Sequence, residues 1–474
     1  MKRILFILTI AAYGLVPINF SSVHAQSISA GTFHSLAICN DSTVSAWGLN
    51  QWGELGIDLL NYESNIPVKV NALNQVIAVA AGRNHSLALK NDGTVWAWGD
   101  NAIGELGQGT LTVGSTVPVQ VKGLTNIKAI TAGGYYFSLA LKNDGTVWAW
   151  GNNNYGQLGN GTYTNSNKPI QVIGLLDVVA ISEGNAHCLA LKKDGTVWAW
   201  GYNMFGQLGI GGQINSSIPI QVSSLTGVVA VSAGRDHSLA LTVNGTVLGW
   251  GINTYGQLGD PNTYIAHLIP VLINGLSGII AIAGGEQHSL ALKSDGTVWA
   301  WGSNLQGQLG NGNNIDSSIP SQVTNLSGVK AITSSLVGCN GGGHCQAITD
   351  NGELWTWGHN FHGQLGVGNN TNSNVPVQVS DVCSLLNGVN TITEQSDIFV
   401  YPNPFASQTT LEANDLFKDA TLTINNCLSQ TVKQMKNISG EEIILFRDNL
   451  PGGLYFIHLR EGNKIHTCKL VITE

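Results

Sequence analysis

The chain has 474 residues, enough for one large repeat domain with an appendage or for two or three ordinary domains. Charged residues make up only 11% and glycine fills 59 positions, which argues against long solvated helices and for short strands joined by tight turns. Residues 26 to 395 hold 12 Lys/Arg against 20 Asp/Glu, which argues against nucleic-acid binding, because neutralising phosphates needs clustered positive charge.

The N-terminus carries Lys2 and Arg3, then an apolar run from Ile4 to about Ile18, then Val23-His24-Ala25. This order fits a secretory signal peptide cleaved after Ala25, so residues 1–25 are set aside from the fold. No later segment is apolar for eighteen residues, and no membrane span is expected.

From residue 26 the chain repeats itself. Trp-Gly recurs at Trp47, Trp98, Trp150, Trp200, Trp250, Trp301 and Trp357, at intervals of 51, 52, 50, 50, 51 and 56 residues. Thirteen residues before each Trp stand His34, His85, Phe137, His187, His237, His288 and His344. An asparagine lies three residues after each Trp, and Gly-Glu/Gln-Leu-Gly begins six after it. A site used once would not be copied seven times, so these residues are expected to be scaffold.

Each unit predicts four strands. In the unit from Val228, short apolar runs cover 228–232, 238–241 and 246–250, and Ile218 to Val222 shows the fourth type of run, with Pro219 at an edge position. Asn244-Gly245 and its equivalents, such as Asp92-Gly93 and Asp295-Gly296, predict hairpins with type I′ turns. Seven four-stranded units predict an all-β fold: a seven-bladed β-propeller over residues 26–395. Leu386 to Thr393 repeats the opening strand of a unit and is expected to complete or reinforce the first blade, closing the ring.

The remainder, 396–474, changes character. Lys and Arg return, the repeat stops, and alternating runs such as Leu454 to Leu459 predict a small Ig-like β-sandwich.

Seven cysteines leave at least one thiol unpaired within the chain. Cys339 and Cys345 flank a Gly-rich insertion, and a local disulfide is the first expectation there, ahead of a metal site, which lacks a fourth ligand. Cys188 takes the place of the serine after the repeated histidine and is read as a small buried residue.

The histidines are expected to bond backbone near blade junctions, and the marker tryptophans to anchor the core. No hydrolase, zinc-protease, phosphate-loop or calcium-loop motif occurs, so catalytic, metal and cofactor sites are expected to be absent and the chain is not read as an enzyme. Asp100, Glu183 and Glu286 are read as solvated loop charges rather than a glycosidase pair. Variable positions carry the functional reading. Before the Gly-Glu/Gln-Leu-Gly loops stand Trp52, Tyr155, Phe205 and Tyr255; between the Gly and the His stand Phe33, Arg83, Tyr135, Tyr136 and Arg235. Aromatics and Arg on loops of a rigid scaffold suit binding of a protein partner by a monomer. An enzyme inhibitor and a glycan-binding or carbohydrate-active propeller are the alternatives.

The run Gly-x-x-His-Ser-Leu-Ala-Leu, Asp-Gly, Trp-Gly-x-Asn-x-x-Gly-Gln-Leu-Gly resembles the regulator of chromosome condensation repeat family. The resemblance implies a seven-bladed propeller. It also implies diverse activities, from guanine-nucleotide exchange on the GTPase Ran with chromatin binding to inhibition of β-lactamases by secreted bacterial propellers. The signal peptide and acidic balance disfavour the first. Tyr401-Pro-Asn-Pro404, Leu450-Pro-Gly-Gly-Leu-Tyr455 and the terminal Lys469-Leu-Val-Ile resemble a type A C-terminal sorting domain of type IX secretion. That implies contact with the secretion machinery, removal of this domain and a mature protein released or held at the outer cell surface.

Overall fold

The computed structural model describes residues 27–58, 62–263, 265–336, 343–380, 382, 398–401, 406–426, 431–461 and 464–472. Clustering of contacts divides the chain into two compact units, Met1–Leu386 and Asn387–Glu474.

The first unit holds seven four-stranded antiparallel sheets, each formed by consecutive strands. Blade 1 consists of β1 (Ile28–Ala30), β2 (His34–Ile38), β3 (Val44–Leu49) and β4 (Glu63–Lys69); blade 2 of β5 (Val76–Ala81), β6 (His85–Lys90), β7 (Val95–Asp100) and β8 (Gly114–Gln120). Blades 3 to 7, formed in chain order by β9–β28, occupy residues 127–171, 178–221, 228–272, 279–322 and 329–378. The expected seven-bladed, all-β architecture is what the chain adopts.

Alternation alone would give strands solvated on one face. Here the second strand of blade 2, His85-Ser-Leu-Ala-Leu, is buried at every one of those positions. Both faces are covered because the apolar core is split among the blade junctions. Leu36, Val44 and Leu55 of blade 1 pack with Val79, Ala88 and Trp98 of blade 2, and analogous clusters recur between later blades. Each marker indole is fully buried and reaches back one blade: Trp98 Nε1 donates to Glu54 O at 2.7 Å and Trp150 Nε1 to Glu105 O at 2.7 Å. The repeated Asn has its own task. Asn50 Oδ1 accepts the Leu55 amide at 3.0 Å and so folds the Gly-Glu-Leu-Gly loop onto the blade.

The repeated hairpins differ from the expected type I′ turns. Around Asp92, the Gly93 amide donates to Lys90 O and the Lys90 amide to Thr94 O, enclosing three loop residues, of which Gly93 has φ +77° while Asp92 is not left-handed. This is a type I turn followed by a bulge. The aspartate side chain reinforces this loop, its Oδ1 accepting both the Thr94 amide (2.9 Å) and the Thr94 hydroxyl (2.6 Å).

The ring closes between blades 7 and 1. Trp47 Nε1 donates to Gln364 O at 2.8 Å, Ser35 Oγ donates to the same carbonyl at 2.8 Å, and Ser35 Oγ lies 2.8 Å from His344 Nε2. The hydroxyl of Ser45 donates to Val382 O, so the chain leaving blade 7 returns to the first blade. The expected closing strand, 386–393, and the expected signal peptide, 1–25, lie outside the described residues.

The second unit is a five-stranded antiparallel arrangement of β29 (Ile398–Tyr401), β30 (Gln408–Asn426), β31 (Thr431–Phe446), β32 (Gly453–Glu461) and β33 (Lys464–Ile472). The long β30 pairs with β29 through residues 410–413 and with β32 through 421–426, and β29 also lies against β33. Leu411, Leu422, Ile424, Ile457 and Leu470 form its core.

Two cysteine expectations change or gain detail. Cys345 is a free, buried thiol, so the expected disulfide with Cys339 is not formed; its sulfur lies 3.1 Å from His288 Nε2 and occupies the place of a repeated serine. Cys188 is free and buried, as expected of a small core residue, and Cys39 is disulfide-bonded.

Candidate functional site

In a four-stranded meander the first-to-second and third-to-fourth connections emerge on the same side of the sheet. The two sets of variable loop residues therefore share one face, and ring contacts join them.

The longest array crosses blades 2 to 4. The Arg83 guanidinium lies 5.1 Å from the Tyr136 ring centroid; Tyr136 meets Tyr135 at 5.8 Å, Tyr135 meets Tyr155 at 5.6 Å, Tyr155 meets Tyr202 at 4.8 Å and Tyr202 meets Phe205 at 6.1 Å. Each of the five rings is half-buried. Tyr136 is held at φ +60°, a left-handed conformation that is costly for an aromatic residue and turns its side chain out of the strand path. Burial raises the Tyr136 hydroxyl above its ordinary value, with Arg83 opposing that rise. Asp100 and Glu105 stand near Tyr136, and Glu105, like Glu54 in blade 1, takes the place of glutamine in the other blades. Burial pushes Glu54 up to about 8 and Glu105 up to about 7, and Asp100 adds to both shifts.

Blades 5 and 6 give a different surface. Arg235 occupies the offset of Arg83, but its Nη1 lies 2.7 Å from Glu286 Oε1 and its Nε 3.3 Å from Asp236 Oδ2. Burial raises Asp236 to about 6 against the pull of Arg235. Arg235 is thus already engaged by carboxylates, which weakens its case as a contact residue.

A third cluster straddles the ring closure. Phe33 lies 5.2 Å from His362, and Phe361 lies 5.3 Å from the same imidazole. His362 Nδ1 is 3.1 Å from Glu63 Oε2, and Asn370 Nδ2 donates to Glu63 Oε1 at 2.8 Å. Trp52 and Tyr255 stand on the same kind of loop but join no ring cluster among the described residues.

Sequence reasoning missed Tyr202, Phe361 and His359. Tyr202 and His359 follow the repeated Trp-Gly, where the other units carry Leu49, Asp100, Asn152, Ile252 and Ser303. That position varies as freely as those selected, and its variability was the available signal.

The repeated histidines lie at blade junctions, but their partner is a side chain rather than backbone. His34 Nε2 lies 2.9 Å from Ser86 Oγ, His85 Nε2 2.8 Å from Ser138 Oγ and His187 Nε2 2.9 Å from Ser238 Oγ. The serine hydroxyl is already donated to a carbonyl, Ser86 to Glu54 O at 2.9 Å, so the imidazole donates from Nε2. Burial keeps the ring neutral, lowering His34 to about 3 and His85 to about 4.

The acids read as solvated loop charges are instead buried. Asp100 caps the Ala102 amide at 3.0 Å and Glu286 pairs with Arg235. Glu183, at an Ala position of the other early blades, is buried beside Cys188 and lines a narrow axial cavity of about 130 Å³ with Ser29, Thr131 and Ser232; burial holds its carboxyl well above the usual range. Among the described residues no group of three or more His, Cys, Asp and Glu is placed to hold a metal ion, and no helix is long and apolar enough to cross a membrane.

Comparison with known proteins agrees with this architecture. Residues 67–394 match the RCC1-like domain, with regulator of chromosome condensation repeats matched at 25–53 and 41–89, and residues 399–473 match a secretion system C-terminal sorting domain. The ultraviolet-B receptor UVR8 of Arabidopsis thaliana is 34% identical over 359 residues, covering 74% of this chain and 80% of that protein. Human E3 ubiquitin-protein ligase HERC2 is 34% identical over 370 residues, 76% of this chain but only 6% of that protein. Among solved structures, Prp20p of Saccharomyces cerevisiae superposes with a TM-score of 0.63 at 24% identity, covering 80% of this chain and 89% of that one. Human WBSCR16 gives the same TM-score at 24% identity, with 71% and 94% covered.

Proposed function

The chain belongs to the RCC1-like domain family and ends in a secretion system sorting domain, and from that premise we propose that its propeller, residues 26–395, binds a protein partner through the Arg83–Phe205 sector of the loop face. The sorting domain marks the chain for type IX export, to the cell surface or the medium. In this reading 396–474 is the sorting unit, recognised by the secretion machinery, and the propeller acts as a monomer.

The observation that carries the reading is the continuous array from Arg83 through Tyr136, Tyr135, Tyr155 and Tyr202 to Phe205. Tyrosine and arginine supply large contact area with few rotors to freeze, and here the rings immobilise one another before any partner arrives. Ring tilt favours protein over glycan at this sector. Neighbouring planes meet at 52° to 75°, so the rings form no continuous flat platform. A sugar platform needs an open ring face, whereas protein side chains accept edges and hydroxyls.

The test is capture from cell-surface and culture fractions by the purified chain, beside a variant with Arg83→Ala, Tyr135→Ala and Tyr202→Ala and a control with Lys193→Ala in an exposed hairpin turn of the opposite face. A protein retained by wild type and control and lost by the triple variant is expected. Equal retention by all three would remove the site from this sector.

A further inference from the structure

Blade 2 carries a second feature, on its outer flank and away from the loop face. A groove of about 610 Å³ is lined by Trp96, Gln108, Pro118, Gln120, Lys122 and Thr125. Its size falls within the range of about 300–1,000 Å³ typical of small-ligand sites. We propose that this groove binds an oligosaccharide, and one bearing uronate groups in preference to a neutral one.

The indole of Trp96 is half-buried and held in place: Nε1 donates to Thr94 Oγ1 at 3.3 Å, and the Lys90 ammonium lies 5.7 Å from the ring centroid. Trp96 stands directly opposite Gln120 across β7 and β8. Gln108, Gln120, Lys122 and Thr125 make no side-chain hydrogen bond within the protein among the described residues, so their donors and acceptors are open to a ligand. An aromatic wall against the C–H face of a pyranose, two carboxamides that can each bridge neighbouring hydroxyls, and one hydroxyl side chain form a sugar-binding set. The residues lining the groove include Lys122 and no carboxylate, while Lys90, beside the indole, is offset by Asp92; the charge of Lys122 complements an acidic sugar. An extended peptide suits the groove less, because Pro118 removes an amide from β8, the blade's outer edge, and blocks pairing with an added strand there.

The pair of a Trp opposite a Gln recurs in blades 3, 4, 6 and 7, but a lysine at the offset of Lys122 occurs in blade 2 alone. Blade 5 has Leu248 opposite Leu272 where blade 2 has Trp96 opposite Gln120. Blade 3 keeps Trp148 and Gln171 but has Ile173 and Leu176 in place of Lys122 and Thr125. Trp96 and Gln120 are thus repeat positions, and what distinguishes blade 2 is the positive charge that Lys122 brings to the groove they line.

The experiment is isothermal titration of the full chain with tetragalacturonate and with cellotetraose. Trp96→Leu copies Leu248 of blade 5, so the fold has already accommodated that change, and Trp148→Leu serves as the control in blade 3. Saturable binding of tetragalacturonate, tighter than that of cellotetraose, is expected. Trp96→Leu should weaken it about tenfold or more, Lys122→Ala should abolish the preference, and Trp148→Leu should leave both unchanged. Failure of both sugars to bind at millimolar concentration, or equal losses in Trp96→Leu and Trp148→Leu, would overturn the proposal. Neither result touches the loop-face reading, whose residues lie elsewhere.

Discussion

A buried imidazole that must stay neutral sets the behaviour of the molecule at the scale of single residues. His187 Nε2 spans the junction between blades 4 and 5 to Ser238, and burial lowers its value to about 3. Removing the ring in His187→Ala leaves a cavity and an unpaired serine, at a cost of about 2–4 kcal/mol, measurable by chemical denaturation, while partner binding should persist. Because the folded values of these histidines lie well below the unfolded 6.5, their contribution is complete above pH 6.5 and is lost as pH falls towards 4 and 3. Glu54 and Glu105 have the opposite sign: their values are raised, so stability is lost as pH rises from 4.5 through about 7 to 8. In blade 3, Gln157 Nε2 donates to Asn152 Oδ1 at 3.0 Å, a bond that a charged carboxylate at Glu105 cannot make with Asp100. Glu105→Gln should therefore raise the melting temperature by an amount that grows between pH 5 and pH 9, and a gain independent of pH would contradict this account. The histidine period was legible in the sequence, but its partner was not, since the serine lies about one repeat further on. The co-occurrence of Phe137 with Cys188 was the trace of that pairing: where the imidazole is replaced by a phenyl ring, the hydroxyl facing it is replaced as well, and the two pack in one apolar cluster.

Blades were legible as elements because four short β-prone runs per period leave little else to build. What the sequence hid was how the elements are tied. The hairpins are legible in the Asp-Gly and Asn-Gly pairs but their turn type is not, because a Gly at the left-handed position serves a three-residue loop as well as a two-residue type I′ turn. The Cys339–Cys345 expectation failed because Cys345 belongs to the repeated strand and is buried in the blade junction beside His288. Closure of the ring rests on contacts between residues more than 300 positions apart, such as Ser35 with His344 and Gln364. Ser35→Ala removes both bonds at once and should lower the melting temperature of the propeller as a whole. The equivalent Ser238→Ala, within the ring, is the comparison, and hydrogen exchange would show whether blades 1 and 7 open first in Ser35→Ala. Exchange spread evenly over all seven blades would argue against closure as the weak seam.

On the scale of the whole molecule, the repeat makes seven similar faces and the differences between them make a site. Sequence reasoning selected the variable loop positions but could not tell that both sets share a face, nor that Arg83 and Arg235, at the same offset, have different roles. That distinction needed Glu286 and Asp236, which come together only in the folded ring. The same holds for Tyr202, the ring that joins the tyrosines of blade 3 to Phe205 of blade 4. An array whose rings already hold one another should bind with little ordering cost, so losing Tyr202, which touches both Tyr155 and Phe205, should disrupt more than one contact. The most direct measurement is the affinity of the purified chain for the partner it captures, compared among wild type, Tyr202→Ala and Arg235→Ala. The account predicts a loss of about thirtyfold or more for Tyr202→Ala and little change for Arg235→Ala, with both variants folded. Unchanged affinity in Tyr202→Ala, or a larger loss in Arg235→Ala, would place the binding surface elsewhere on the ring.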